Sequence, residues 1–322
     1  MKILRTILFI LIGTVFSVGT LSYGNDRDYK QLMRSFIKSI SRYAKKSNPD
    51  FIIIPQNGHE LMREHGEQEG NPVLDYINAV DGAGQEDLFY GYDDDNVATP
   101  RHESDYLLSF LDAAKVNGVV ILVTDYCWDK SKMDDSFNKN SKKGYISFAA
   151  PERDLNVIPD YPNPVRNRNP REIRSLSDAQ NFLYLLDPGS FESKGRYLSA
   201  LKATDYDVII MDAFFGDDII ISSDVASLKK KPGGSARLVI AYMSIGEAED
   251  YRYYWKSSWA KKPPSWLEEE NPDWLGNYKV RYWNPEWQAI VFGRSDAYLD
   301  RIVSAGFDGV YLDIIDAFEY FE

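Results

Sequence analysis

Cysteine is almost absent from this 322-residue chain, where Cys127 stands alone. No intramolecular disulfide can staple the fold, and no lipid-attachment cysteine follows the N-terminal apolar run. Stability must therefore come from a core, and 44% hydrophobic content over this length suits one large domain or two small ones. Histidine is nearly as scarce. His59, His65 and His102 form no HxxxH pair, which argues against a zinc hydrolase. A GxSxG elbow, a Walker loop and a GxGxxG turn are also missing. Bases are outnumbered 37 to 49, for a formal net charge of −12. Such a surface makes nucleic acid a poor partner and attracts cationic substrates.

What is present begins with an export pattern. Lys2 and Arg5 precede an apolar stretch from Ile7 to Val18, and Ser22 with Gly24 supplies small residues for cleavage. Residues 1–24 are therefore expected to be a signal peptide and 25–322 the mature domain, secreted, periplasmic or on the cell surface. An uncleaved anchor is the alternative, disfavoured because the run is shorter than the ~20 residues of a spanning helix. No later segment is apolar enough for a membrane.

The remainder alternates between two periodicities. Asp28 to Lys45 carries Leu32, Met33, Phe36, Ile37 and Ile40 at helical spacing. Strands are expected at Phe51 to Ile54, Val80 to Glu86, Val119 to Asp125, Gly144 to Pro151, Asn181 to Leu186, Asp207 to Met211, Leu238 to Met243 and Phe307 to Leu312. Helices are expected between them at 104–115, 194–202, 223–230 with Ser223 as cap, and 286–304. Eight such strands in alternation predict an α/β protein, a single (β/α)8 TIM barrel. The N-terminal amphipathic helix covers the gap left after strand eight, and a long tryptophan-rich loop follows strand seven. The proline-punctuated segment 152–171 is either a domain boundary or an elaborate loop.

On that fold the C-terminal strand ends share one face, which carries Asn57, Glu86, Asp125, Asp187, Asp212, Glu247 and Asp313. Most are carboxylates, and two carboxylates flanking a glycosidic bond suffice for hydrolysis. The stretch LVIAYMSIGEAEDYR (238–252) adds Glu249 and Arg252, the latter placed to orient a carboxylate or a sugar hydroxyl. Tyr242, Trp255, Tyr282, Trp283 and Tyr311 supply flat faces of the kind sugars stack on, or plain packing. Asp93 to Asp95 are adjacent and lack the alternating spacing of a calcium loop. No metal and no cofactor is expected.

The strings PQNGHEL (55–61), VDGAGQEDLFYGYDDDN (80–96), YDVIIMDAFF (206–215), AYMSIGEAEDYRYYW (241–255), GNYKVRYWNPEWQ (276–288) and GFDGVYLDIIDAFEY (306–320) resemble those of glycoside hydrolase family 114, bacterial extracellular subgroup. The resemblance implies an exported (β/α)8 barrel related to endo-α-1,4-polygalactosaminidases, hydrolysing a galactosamine-rich, cationic polysaccharide. It implies a catalytic role for Asp212. In the fungal branch a serine stands at the place of Glu247, the SYED glutamate matches Glu249, and a WPGE glutamate matches Asn277 of WLGN. The expected catalytic set is Asp212 with Glu247, then Glu249 and Asp313. The expected substrate-binding set is Asn57, Glu86, Asp125, Tyr242, Arg252, Trp283 and Tyr311. A monomer acting on polysaccharide is expected, with a non-catalytic carbohydrate-binding barrel as the rival.

Overall fold

A computed structural model describes residues 27–322, so the expected signal peptide lies outside the described residues. Each of the eight apolar runs carries a parallel strand. In chain order these central strands are β1 (Ile52–Pro55), β2 (Gly82–Glu86), β3 (Val120–Tyr126), β4 (Ile146–Ala150), β5 (Phe182–Leu185), β6 (Val208–Asp212), β7 (Leu238–Ser244) and β8 (Gly309–Asp313). Their residues are almost entirely buried, as expected of strands covered on both faces.

Five strands hydrogen-bond in the order β1-β8-β7-β6-β5 and three in the order β2-β3-β4, all parallel. A bridge between Gln56 and Gly84 joins the two sheets at β1 and β2. At the other junction β4 runs beside β5 without a ladder, and Phe148 meets Phe182 at 5.8 Å. The five-stranded sheet is strongly curled, because side chains from its two edge strands meet: the Tyr184 hydroxyl of β5 donates to Gln56 Oε1 at the end of β1, at 2.8 Å. Tyr184 and Tyr311 pack ring to ring at 5.0 Å in the same interior. The whole is a mixed α/β fold with a parallel central sheet, compatible with a TIM-like arrangement.

Gly84 shows how tightly that interior is filled. A Cβ there would lie 2.0 Å from the Tyr311 hydroxyl, so only glycine leaves room for the ring.

Helix α1 (Tyr29–Ser47) is the amphipathic helix expected from the sequence. Asp28 caps it by accepting from Gln31 N at 2.8 Å, and Lys45 and Lys46 complement the dipole at its far end. Its buried stripe of Met33, Phe36, Ile37, Ile40 and Ala44 joins the core. Each large side chain of that stripe contributes about 1.5–3 kcal/mol. Tyr43 donates to Asp300, which lies on the helix before β8, while Ser41 donates to Ala79 and Lys45 to Asp81 on the approach to β2. The helix thus spans the space flanking β8 and β1.

Helices α2 (Arg101–Val116), α3 (Lys130–Lys143), α4 (Lys194–Lys202) and α5 (Ser222–Leu228) follow β2, β3, β5 and β6. Helix α5 starts one residue before Ser223, and Ser223 is not its cap; the Asp224 carboxylate accepts from Ile221 N instead. The proline segment is pinned at both ends. Arg153 binds Asp87, and Asn169 donates to Asp207, which also takes the buried Lys231 ammonium at 2.8 Å.

Two expectations for the segment between β7 and β8 are corrected. The tryptophan-rich stretch is ordered as an antiparallel sheet of Glu247–Glu249, Asn277–Val280 and Leu267–Glu270. Trp266 lies at that sheet's core, packed on Trp259 and on Trp287 of the following helix, whose Nε1 donates to Ile245 O. The single helix expected over 286–304 is two, α6 (Pro285–Val291) and α7 (Tyr298–Ala305). Gly293, at φ 95°, takes a left-handed conformation between them, and its N–H is accepted by Asp300.

Candidate active site

Register decides which strand-end side chains meet. Asp212, Tyr242 and Tyr311 are level on β6, β7 and β8 and therefore share a face, and Asp313 lies two residues beyond Tyr311 on that same face. On β2 and β3, Glu86 is level with Thr124. The face that carries Glu86 thus continues on β3 as Thr124 and Tyr126 and leaves out Asp125.

The expectation for Asp125 is therefore corrected. Its side chain points the other way, onto α3, where it is fully buried and accepts from Ser136, Asn140, Phe89 N and Tyr90 N. With its oxygens occupied, it braces the loop after β2 and cannot reach a substrate. Asp187 caps a short turn by accepting from Gly189 N. Trp283 packs against Tyr29, Tyr282 and Phe321, and Tyr282 and Tyr311 are wholly buried. None of these three rings is free to stack on a sugar.

Asp212 is anchored by Arg252. Nη1 donates to Oδ1 at 2.9 Å and Nη2 to Oδ2 at 2.8 Å, while Phe214 N donates to Oδ1. The same guanidinium turns its other edge to Glu249, with Nε to Oε2 at 2.7 Å and Nη2 to Oε1 at 3.2 Å. Tyr251 completes the set by donating to Glu249 Oε1 at 2.7 Å. One cation therefore fixes two carboxylates, and sharing Nη2 holds an oxygen of each no farther apart than the two hydrogen bonds laid end to end. Burial pushes the Asp212 carboxyl up and Arg252 opposes it, the net direction being upward. Asp212 remains partly open to solvent, whereas Glu249 is buried.

Asp313 has no such cation. Tyr242 donates to Oδ2 at 2.7 Å and Ile314 N to Oδ1 at 2.8 Å. Ile314 sits at φ 55°, a costly region for a β-branched residue, and this places its N–H on the carboxylate. Burial, with the charge of Glu86 beside it, pushes Asp313 up to about 7. Glu86 itself accepts from Tyr126 and from Asn57 Nδ2.

Glu247 does not touch Asp212 through any hydrogen bond. It is 0% exposed, and its Oε1 accepts from Asn271 at 2.8 Å and Tyr320 at 3.1 Å, while Oε2 has no partner. Burial raises its pKa, against the hydrogen bonds from Asn271 and Tyr320. The expected pairing of Asp212 with Glu247 is therefore corrected: Glu249 shares the clamp of Asp212, and Glu247 stands apart.

Sequence reasoning missed three groups. Asp316 is pushed up to about 8 by burial and by Asp313, and its place three residues past a strand-end carboxylate was the available signal. Asp87, next to Glu86, is pushed up to about 7 by burial, against the pull of Arg153. Arg153 stacks at 3.9 Å on the ring of Tyr126, the donor to Glu86, and carried no local signal. Among the described residues no group of three or more His, Cys, Asp or Glu is arranged to hold a metal.

Residues 164–322 match the model of glycoside-hydrolase family GH114. That span holds Asp212, Glu247, Glu249, Arg252 and Asp313, but not Asn57 or Glu86. Three uncharacterized proteins are similar in part. One from Methanocaldococcus jannaschii is 39% identical over 157 residues, covering 48% of this chain and 42% of the relative. Another, from Thermotoga maritima, is 58% identical over 81 residues, 25% of this chain and 24% of the relative. The third, from Deinococcus radiodurans, is 40% identical over 122 residues, 38% and 37%. The chain thus spans less than half the length of each. The family match supports a glycoside hydrolase.

Proposed function

We propose that this chain is an exported, monomeric glycoside hydrolase of the family 114 type, built as a single (β/α)8 barrel and cutting α-1,4-linked galactosamine-rich polysaccharide. Its working carboxylates are Asp212 and Asp313. The observation that carries this reading is the contrast between them: two carboxyls on one face at the ends of β6 and β8, with β7 between them, one clamped by a guanidinium and the other raised to about 7.

The division of labour follows from that contrast. Asp313, protonated near neutrality, gives its proton to the glycosidic oxygen as the C1–O bond breaks. Asp212, whose anion Arg252 favours, meets the positive charge developing at C1, as nucleophile or through an activated water; the anomeric form of the released sugar, read by NMR, distinguishes the two. Tyr242 holds Asp313 from one side. Glu249 orients Arg252 and through it Asp212, acting as a positioning residue. Glu86 and, less strongly, Glu247 raise Asp313 by their charge, and Asn57 holds Glu86 by donating to it. A mouth with this excess of carboxylates, on a chain of net charge −12, suits a cationic polymer.

A second reading, a non-catalytic carbohydrate-binding barrel, is favoured by Asn277. It stands directly opposite Glu249 in the antiparallel sheet, where the resembling enzymes carry a glutamate. Release of reducing ends from an α-1,4-galactosamine polymer decides between them. The enzyme reading expects cleavage that is lost in Asp212→Asn and in Asp313→Asn; binding without cleavage by the unmodified protein establishes the other.

A further inference from the structure

Exposed apolar side chains are mostly scattered over this molecule, but Tyr251, Trp274 and Leu275 are not. They are 55%, 45% and 82% exposed, and they belong to two turns that touch. Asp250 N donates to Gly276 O at 2.8 Å, and a Cβ on Gly276 would lie 3.7 Å from the Tyr251 ring. Gly276, at φ 86°, makes the approach possible. The polar end of Tyr251 is already engaged by Glu249, so its exposed surface is ring face and edge.

We infer that Tyr251, with Trp274 and Leu275 beside it, is a stacking platform for the pyranose ring next to the one whose bond is cut. The inference rests on the glycosidase reading above. Three features select a sugar as the occupant. The patch adjoins the carboxylate clamp through the Tyr251 hydroxyl, which donates to Glu249, itself held by the guanidinium that holds Asp212. It is apolar in a mouth otherwise lined by acceptors, and the C–H face of a pyranose needs such a surface while its hydroxyls and amino groups face the acceptors. It is also small and rimmed by charge, Asp250 on one side and Glu270 on the other, with Glu270 accepting from Gly276 N; a protein partner needs a larger apolar area. Because Tyr251 touches both the platform and Glu249, occupancy would be felt at the Arg252 clamp.

The test uses the full chain silenced by Asp212→Asn, titrated calorimetrically with α-1,4-linked galactosamine oligomers of increasing length. In parallel, the unmodified protein is assayed for cleavage of the polymer. The expectation is that Tyr251→Ala and Trp274→Ala each weaken binding of the longer oligomers about tenfold and leave the shortest unchanged, while Tyr251→Phe, which keeps the ring, binds within about twofold. Circular dichroism and melting of each variant verify that the fold is retained. Cleavage together with oligomer binding that ignores Tyr251 and Trp274 overturns the platform alone. Neither binding nor cleavage overturns the platform and the glycosidase reading together.

Discussion

At the scale of single residues, the site is a problem of too many carboxylates and one arginine. Arg252 is shared between Asp212 and Glu249, and Asp313 is left beside Glu86 and Asp316. If Asp313 is the acid, activity is present below about pH 7 and declines as its proton is lost above it. The profile of kcat/KM against pH should therefore fall on its alkaline side near that value, and Asp313→Asn should abolish turnover rather than shift the limb. Stability carries the same sign. A carboxyl whose folded pKa lies above its unfolded one weakens the fold as pH rises from the unfolded value to the folded one. Asp313→Asn removes that loss, so the melting temperature of the variant should exceed that of the unmodified protein by more at pH 8 than at pH 5.

Arg252 gives a second residue-scale expectation. Lysine cannot reproduce a fork that serves two carboxylates, so Arg252→Lys leaves at least one of them buried and unpaired. Breaking such an ion pair costs about 3–5 kcal/mol. Urea unfolding should show a loss of that order, with activity falling at least about a hundredfold as Asp212 loses its anchor.

At the scale of elements, the central strands were legible because each is a short apolar run rich in β-branched residues, ended by a turn or a charge. Gly82–Glu86 was the weakest of them, since glycine there serves Tyr311 rather than strand propensity. The small antiparallel sheet was illegible for a physical reason: its strands read EAE, LEEE and NYKV, so charge hides the period of two. The misplacement of Asp125 has a similar origin. The strand runs one residue further, to Tyr126, and a carboxylate one position from the end turns to the opposite face. Tyr311 was misread as a sugar contact although Val310 and Leu312 flank it in an apolar run, because strand alternation puts it on the same face as Asp313.

The Gly84 and Tyr311 contact makes a prediction at this scale. Gly84→Ala should destabilise by about 1–3 kcal/mol through overpacking. Among the described residues the Tyr311 hydroxyl has no hydrogen-bond partner, so Tyr311→Phe should be neutral or stabilising. Equilibrium unfolding of the double variant should recover part of the Gly84→Ala loss, a coupling that independent sites would not show.

At the scale of the whole molecule, the charge balance governs encounter more than folding. A chain of net charge −12 draws a polycation along its field, and salt screens that attraction over about 8–10 Å. KM for a deacetylated galactosamine polymer should therefore rise with added sodium chloride, and KM for a fully acetylated one should stay nearly flat. An equal salt response for both would place recognition in short-range contacts instead.

The junction between β4 and β5, where two neighbouring strands run side by side without a backbone ladder, also divides responsibilities. Beyond it lie the guanidinium clamp, the acid and the stretch that matches the family. Before it lies Glu86, whose charge acts on Asp313 and which Asn57 holds by a hydrogen bond. On the proposed reading, one half of the chain holds the groups that cleave the bond and the other the charge that sets their working pH. Substitutions in the first half can retune the acidity at which the protein operates while the chemistry housed in the second stays as it is.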